Sequence, residues 1–386
     1  MDKRKAVAGL PAILAAALLT AACSDALGPE RNTPGAPLFD VAASSGLVLD
    51  VWNGTLGQSG IPEPCSAPCL IKGFNPTNPQ LGDAVIATFF WVGQTDVIDS
   101  VTDHITNVDH TPVGNKYTRV SYVTGGGVSM ATYVATNVQN FAGGSTDPNQ
   151  ILAVRANLKQ AVTDGGVVIS AYRGLPVTAG PSSSAQGSGT SLTPAAPGPI
   201  SVRAGGVAYG VTMSGTLVGV DQPGAPFVPL AGMSDGFMNT DAEYAPLASA
   251  GTVNPQWSWG FSSDQPGTWL ATAVALNPAA THLVFTVQPS NTLPLTPIRP
   301  AVQVAATDDL GNTVTTYTGS VTIAIGRNGG LLLPGTLFGT KTVTFVNGVA
   351  TFADLSIDQV GSGYTLRATA SGLTGAESAS FSIGAP

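Results

Sequence analysis

The hydrophobic pattern along most of the chain is that of short β-strands. From Leu47 onward, stretches rich in Val, Ile, Thr, Phe and Tyr are interrupted every eight to fifteen residues by Gly, Pro, Asn or Asp. Several stretches alternate, as at Val321, Ile323 and Ile325, so one face of each strand is expected to be buried. Residues 151–162 have a helix-like spacing and could equally form a strand. The pattern predicts an all-β protein.

A break in this pattern near residues 277–280 separates two segments. Beyond it, seven strands are predicted in about a hundred residues, which is the size of an immunoglobulin-type sandwich. Asn347 and Gly348 supply the two positive-φ residues of a type I′ turn between two of these strands. Tyr364 stands at the start of the sixth strand, where such sandwiches often have a tyrosine corner. Asp308 and Asp309 are predicted to form a turn.

Three short motifs in this C-terminal segment resemble those of a known family. LVFTVQP at 283–289, DLGNTV at 309–314 and NGVATF at 347–352 closely resemble the Ig-like repeats of bacterial surface and secreted proteins, across residues 281–383. The resemblance implies an Ig-like domain over residues 279–386. For function it implies a spacer or an adhesive module, since these repeats share no active site.

The longer segment resembles a jelly-roll-like module of exported bacterial proteins. The residues that carry this resemblance are GDAVIATFFW at 82–91, SVTD at 100–103, GNKYT at 114–118 and MATYVATNV at 130–138. In that module a second half follows a Gly/Ser-rich stretch, here residues 182–193, and ends in a strand like that at 269–276. The resemblance implies one jelly-roll-like β-sandwich over residues 47–278. The segment 104–113 departs from the module and is expected to project as a loop.

The N-terminus has the form of a bacterial export signal. Three basic residues at positions 3–5 precede an apolar run over 6–19, which is too short for a transmembrane helix. We expect residues 1–22 to be removed as a signal peptide and residues 23–46 to form a flexible tether. The ending LTAAC resembles a lipoprotein cleavage box, with Thr20 where Leu is usual. The resemblance implies acylation of Cys23; the alternative is cleavage without a lipid.

The net charge of the chain limits the classes of partner that it is expected to bind. Removing residues 1–22 takes away three of 15 basic and one of 23 acidic residues, which leaves a net charge of −10. Without a basic stripe to neutralise phosphates, nucleic acid is not an expected partner. Membrane contact is expected only through a lipid anchor at Cys23, and the location is the cell envelope or, without the lipid, the secreted fraction.

Cys65 and Cys69 are the remaining cysteines, four positions apart in a loop bracketed by prolines. Outside the cytoplasm, this spacing predicts a small disulfide. Zinc is the weaker alternative, because a tetrahedral site needs four ligands and the chain has three histidines in all, none suitably spaced from these thiols.

Four acidic residues in a short span offer a candidate metal site. These residues are Asp96, Asp99, Asp103 and Asp109, and His104 and His110 lie among them. Calcium favours several carboxylate and carbonyl oxygens, so a structural calcium ion is one hypothesis. The spacing matches no EF-hand loop, and Asp is common in β-turns, so ordinary turns are the favoured interpretation. No other cofactor is expected.

Two further residue pairs could form a binding or a catalytic site. Trp257 and Trp259 share one face of a strand, where two exposed indoles would give a platform for stacking a sugar; the favoured alternative is that they fill the core. Asp241 and Glu243 likewise share a face, at a separation that a retaining glycosidase could use. This single acidic pair is a weak catalytic motif.

The sequence contains no serine-nucleophile elbow, no zinc-protease helix motif and no phosphate-binding glycine loop. We therefore expect no catalytic residues and a non-catalytic, exported cell-envelope protein. Its β-sandwich surface would serve adhesion or the binding of a carbohydrate or a surface protein. The alternatives are a jelly-roll glycoside hydrolase and a pure structural spacer.

Overall fold

The computed structural model describes residues 46–59, 67–189, 195–216, 218–220, 224–260 and 267–384. In these ranges the chain forms strands, turns and loops but no helix, which confirms the predicted all-β class. The ambiguous stretch 151–162 contains a strand, Leu152–Leu158. The described part of the chain has no helix long and apolar enough to cross a membrane.

The first half of the body is a jelly roll of eight antiparallel strands in two sheets, ordered β1-β8-β3-β6-β5 and β2-β7-β4. The strands are β1 (Val48–Thr55), β2 (Cys69–Gly73), β3 (Ala84–Val92), β4 (Ile98–Ile105), β5 (Thr118–Gly125), β6 (Val128–Ala135), β7 (Leu152–Leu158) and β8 (Gly165–Arg173).

The second half repeats this order. Its main sheet is β13-β14-β11-β17-β9, and two short ladders, β10-β15 and β12-β16, correspond to the smaller sheet. The strands are β9 (Val177–Gly189), β10 (Ile200–Val202), β11 (Gly206–Ser214), β12 (Val218–Val220), β13 (Val228–Ser234), β14 (Asn239–Leu247), β15 (Gly251–Val253), β16 (Trp259–Gly260) and β17 (Gly267–Pro278).

The two halves also share their register and their bulges. Tyr133 pairs with Ala87 beside a bulge in β5, and Glu243 pairs with Gly210 beside a bulge in β13. Each half has a second bulge in its first strand, at Asp50 in β1 and at the matching place in β9. Glu243 therefore corresponds to Tyr133, and Gly210 to Ala87. The segment expected to be one jelly-roll-like sandwich contains two jelly rolls.

The main sheets of the two halves pack face to face. Ile86 and Phe90 of β3 and Tyr209 and Met213 of β11 belong to one buried cluster. The other face of β3, with Phe89, packs on the smaller sheet of the first half. Because β3 lies between two apolar layers, its first eight residues are all buried, and its sequence is a continuous apolar run instead of an alternation.

The C-terminal segment is a separate sandwich with its own core. Its sheets are ordered β18-β19-β23 and β22-β20-β26-β27, with two short ladders, β21-β24 and β25-β28. The strands are β18 (His282–Val287), β19 (Val302–Thr307), β20 (Ser320–Ile325), β21 (Leu337–Phe338), β22 (Thr342–Thr344), β23 (Val349–Phe352), β24 (Ser356–Ile357), β25 (Gly361–Tyr364), β26 (Leu366–Thr369), β27 (Ala376–Glu377) and β28 (Phe381–Ile383).

Three local predictions for this sandwich are confirmed. Asn347 and Gly348 have φ values of 50° and 75°, as a type I′ turn requires. The Tyr364 hydroxyl is buried with its ring and donates to the carbonyl of Gln359 at 2.9 Å, which makes the tyrosine corner. The Asp308 carboxylate accepts from the backbone N–H groups of Leu310 and Asn312 and so closes its turn.

Arg203 connects the second jelly roll to the Ig-like sandwich. Its guanidinium donates to the carbonyl of Pro278 at 2.8 Å and contacts the Thr316 hydroxyl. Thr316 lies in the loop after β19, so this end of the Ig-like sandwich faces the jelly-roll body.

Candidate functional site

A cleft of about 440 Å³ opens at one end of the first jelly roll, beside the segment that connects the two halves. Leu81, Leu175 and Pro176 form an apolar wall, and the polar lining includes Asn137 and Arg173. The volume falls within the range of small-molecule sites. No sequence motif pointed to this cleft.

Asp83 lines the cleft, and its carboxyl lies beside that of Asp50. The backbone N–H of Gln80 donates to Asp50 Oδ2 at 3.1 Å and to Asp83 Oδ2 at 3.0 Å. The Arg173 guanidinium lies 3.2 Å from Asp50 Oδ1. Burial raises the pKa of Asp83, and the hydrogen bond and the charge of Asp50 raise this pKa further. The pKa of Asp83 is raised to about 7, so this carboxyl is partly protonated near neutral pH.

Local backbone features bring these groups together. Asp50 is the extra residue of the bulge in β1, and Arg173 ends β8, the neighbouring strand. Asp83 precedes β3 and follows Gly82, whose φ of 93° only glycine adopts without strain. The carbonyl of Asp83 accepts from Val138 N, which fixes the start of β3 at the cleft.

The second jelly roll does not repeat this arrangement. The shared register places Gly206 where the first half has Asp83, and Asn277 where it has Arg173. Asn277 Oδ1 accepts from the backbone N–H of Arg203 at 2.8 Å, close to the Ig-like sandwich. The acid pair and its arginine therefore belong to the first half alone.

The tryptophan pair is buried. Trp257 and Trp259 are 1% and 3% exposed and cover the outer face of the second main sheet. Trp257 Nε1 donates to Asp241 Oδ1 at 3.2 Å, and Trp259 Nε1 to the Thr212 hydroxyl at 3.3 Å. The exposed platform required for sugar stacking is therefore absent, and the alternative of core filling agrees with this burial.

Asp241 and Glu243 do share a face of β14, but that face is covered. Asp241 is 4% exposed and Glu243 is fully buried, and neither Glu243 oxygen has a hydrogen-bond partner among the described residues. Burial, followed by the neighbouring Asp241 charge, raises the pKa of Glu243 to about 8. In a retaining glycosidase, one carboxyl acts as the acid and the other as the nucleophile, and both must contact a bound sugar. Asp241 and Glu243 do not face an open cleft, so they cannot contact a substrate in this way.

The four aspartates of the calcium hypothesis do not converge. Asp96 pairs with Arg119 at 2.5 Å, while Asp99 and Asp109 are exposed. Asp103 is buried and accepts from the backbone N–H groups at residues 114 and 115, from the Asn115 amide and from the Tyr117 hydroxyl. The described ranges contain no group of three or more side chains that could hold a metal ion. Asp103 instead fixes the return of the inserted loop.

The inserted loop, residues 104–113, projects at its tip, where Val108 is 93% exposed. The two histidine rings lie at its base, His104 and His110, with centroids 5.3 Å apart. Burial lowers the pKa of His104 to about 4, and the charges of Arg155 and His110 act in the same direction. His104 is therefore neutral at physiological pH and serves the packing of the loop.

Cys69 is disulfide-bonded. Its partner lies outside the described residues, as do Cys65 and Cys23, so the pairing with Cys65 and the acylation of Cys23 remain predictions. The export signal over residues 1–22 lies outside the described ranges as well.

Comparison of the sequence with known protein families finds no match, and comparison with curated proteins finds none either. The two resemblances described above therefore remain predictions at the level of family.

Proposed function

We propose that this chain is an exported cell-envelope protein, tethered through Cys23, whose first jelly roll binds a carbohydrate in the cleft at Asp83. The proposed role is binding without catalysis. The observation that supports it best is the pairing of one apolar wall with a polar rim and base in a cleft of about 440 Å³.

The chemistry of the cleft matches a sugar. A sugar ring presents apolar C–H faces and an edge of hydroxyl groups. Leu81, Leu175 and Pro176 suit the faces, while the Asn137 amide and the Arg173 guanidinium can each engage two neighbouring hydroxyls. Sites of this kind combine an apolar lining with a few fixed polar groups.

The charges at the base favour an uncharged ligand. Arg173 is balanced by Asp50, and Asp83 tends toward its neutral form. The net charge of the three groups is thus close to zero, so neither an anion nor a cation is favoured. Both carboxyls accept from Gln80 N, and Asp50 also pairs with Arg173, so we assign the two carboxyls a positioning role.

The test is a glycan array followed by retention on a column of the glycan that binds. The protein is the mature chain, residues 23–386 with Cys23→Ser, so that no acyl chain contributes. Arg173→Gln and Asn137→Ala should each reduce retention about tenfold, as loss of one or two hydrogen bonds predicts. Arg367→Gln, at an exposed arginine of the Ig-like sandwich, is the matched control and should leave retention unchanged.

The other outcomes identify the alternatives. Retention that survives both cleft variants would place the carbohydrate-binding surface outside the cleft. If the chain releases reducing sugar and this activity is lost in Asp241→Asn or Glu243→Gln, the glycoside hydrolase alternative is supported. A chain that binds no glycan and no envelope protein would be a structural spacer.

A further inference from the structure

One end of the Ig-like sandwich displays a cluster of exposed leucines. Leu331, Leu332 and Leu333 follow one another in the loop between β20 and β21 and are 75%, 91% and 64% exposed. Three further apolar residues that are at least half exposed lie on the neighbouring loops: Leu293, Leu295 and Val360. We call these six residues the leucine end. Monomeric soluble proteins rarely expose apolar groups contiguously, and such patches mark interaction sites.

Backbone hydrogen bonds join the three loops of the leucine end into one surface. The N–H of Leu331 donates to the carbonyl of Val360 at 3.0 Å, and the N–H of Leu295 donates to the carbonyl of Ile357 at 2.8 Å. The leucines therefore belong to one patch and are not scattered singly over the domain.

The leucine loop is held in place by its own polar groups. Asn328 Oδ1 accepts from the backbone N–H groups of Gly330 and Gly335, and its amide donates to the carbonyl of Gly335 at 2.8 Å. The carbonyl of Gly329 accepts from Ser362 N. A loop fixed at its base cannot fold its leucines back onto the domain, so the three side chains project into the surroundings.

The leucine end lies away from the rest of the chain. The junction with the jelly rolls uses Arg203 and Thr316, at the loop that follows β19. The leucine end uses the loops before β19, after β20 and after β24, which lie at the opposite end of these antiparallel strands. The described jelly rolls therefore leave this surface uncovered.

The leucine end carries two exposed arginines that form no ion pair among the described residues. Residues 288–301, 326–336 and 358–363 contain two basic residues, Arg299 and Arg327, and one acidic residue, Asp358. The Asp358 carboxylate accepts from Thr336 N at 2.7 Å. Two acidic residues beside these loops are likewise hydrogen-bonded, since Asp354 accepts from Thr340 N at 2.9 Å and Glu377 accepts from the Thr365 hydroxyl at 2.6 Å. An apolar tip with two exposed and unpaired arginines beside it can engage anionic headgroups over a hydrocarbon layer.

We propose that the leucine end inserts into an anionic lipid bilayer. The leucines enter the acyl layer, and Arg299 and Arg327 remain at the level of the headgroups. A bilayer accepts a projecting tip without a matching groove, whereas a protein partner must provide one. The sequence alone suggested membrane contact only through Cys23; this surface adds a second contact that does not depend on the lipid.

The experiment measures flotation of the mature chain, residues 23–386 with Cys23→Ser, with phosphatidylglycerol/phosphatidylethanolamine vesicles and with phosphatidylcholine vesicles. The chain should bind the anionic vesicles more strongly. The Leu331→Ser, Leu332→Ser, Leu333→Ser variant should weaken this binding by about 100-fold or more, given the burial free energy of three leucines. Arg299→Gln with Arg327→Gln should reduce binding to the anionic vesicles and its sensitivity to salt.

The matched control replaces three exposed apolar residues elsewhere, Val108→Ser, Phe237→Ser and Val346→Ser, and should bind vesicles as the unmodified chain does. Calorimetry checks that the variants remain folded. The proposal fails if the unmodified chain does not bind anionic vesicles, or if the leucine variant binds as well as the control. It fails equally if the leucines instead drive self-association of the chain in sedimentation without any binding to vesicles.

Discussion

Glu243 makes the stability of the jelly-roll body depend on pH in a way that can be worked out from its burial. The carboxyl is fully buried without a hydrogen-bond partner among the described residues, and its pKa rises from the ordinary 4.5 to about 8. The folded state then binds a proton that the unfolded state releases. This group consequently leaves stability unchanged well below pH 4.5, lowers it progressively as pH rises to about 8, and has a constant effect above that.

The magnitude follows from the two pKa values. At pH 7 the group lies 2.5 pH units above its unfolded-state value of 4.5, so that its protonation in the folded state costs about 3 kcal/mol. At pH 5 the same cost is about 1 kcal/mol. In Glu243→Gln this variable cost disappears, and the variant should gain about 2 kcal/mol relative to the unmodified chain between pH 5 and pH 7. Any change in the free energy of unfolding that comes from burying the Gln amide is the same at every pH, so it does not affect the comparison between pH 5 and pH 7.

Tryptophan fluorescence during urea unfolding is the suitable assay. All five tryptophans lie before residue 279 and none in the Ig-like sandwich, so the signal reports on the jelly-roll body alone. Asp109→Asn, at an exposed carboxylate, is the control and should follow the unmodified chain at every pH. A difference between Glu243→Gln and the unmodified chain that is the same at pH 5 and pH 7 would refute the argument from burial.

Three further changes test other parts of the structure. Asp83→Asn should reduce the decline in stability of the body as pH rises from 4 to 8, because the raised pKa of Asp83 has the same sign of effect; urea midpoints at both pH values measure this. Asp103→Ala should lower the free energy of unfolding by about 3 kcal/mol, since four donors lose their acceptor, whereas the exposed Asp99→Ala should change it little. Tyr364→Phe should destabilise the Ig-like sandwich by about 1 kcal/mol in calorimetry and leave the transition of the jelly rolls in place.

Much of the fold could be predicted because its determinants are local. Alternation of apolar residues specifies strands, and Asn347-Gly348 specifies a tight hairpin through two positive φ angles. Tyr364 reaches a carbonyl only five residues earlier in the chain. These features need no knowledge of which strands pair, so the sequence is sufficient to identify them.

The cleft could not be predicted because it depends on pairing between distant strands. Asp50, Asp83 and Arg173 come from a bulge, a strand start and a strand end that are far apart in the chain. The burial of the tryptophan pair also could not be predicted from the sequence. Alternation correctly places Trp257 and Trp259 on one side, but which side is covered depends on the outer layer of the second jelly roll, whose ladders are only two or three residues long.

The repeated jelly roll supplies an internal comparison for deciding which polar residues the fold requires. The halves share strand order, register and bulges, so equivalent positions can be compared. Where one half has a charged residue and the other has an apolar or small residue, the fold itself does not need the charge. Glu243 stands where Tyr133 packs in an apolar core, and Asp83 stands where the other half has Gly206. The shared architecture requires neither acid, since the other half forms it without them. Both carboxyls are buried, but Asp83 lines a cleft that is open to solvent, so a bound ligand would lie beside the second of these two departures.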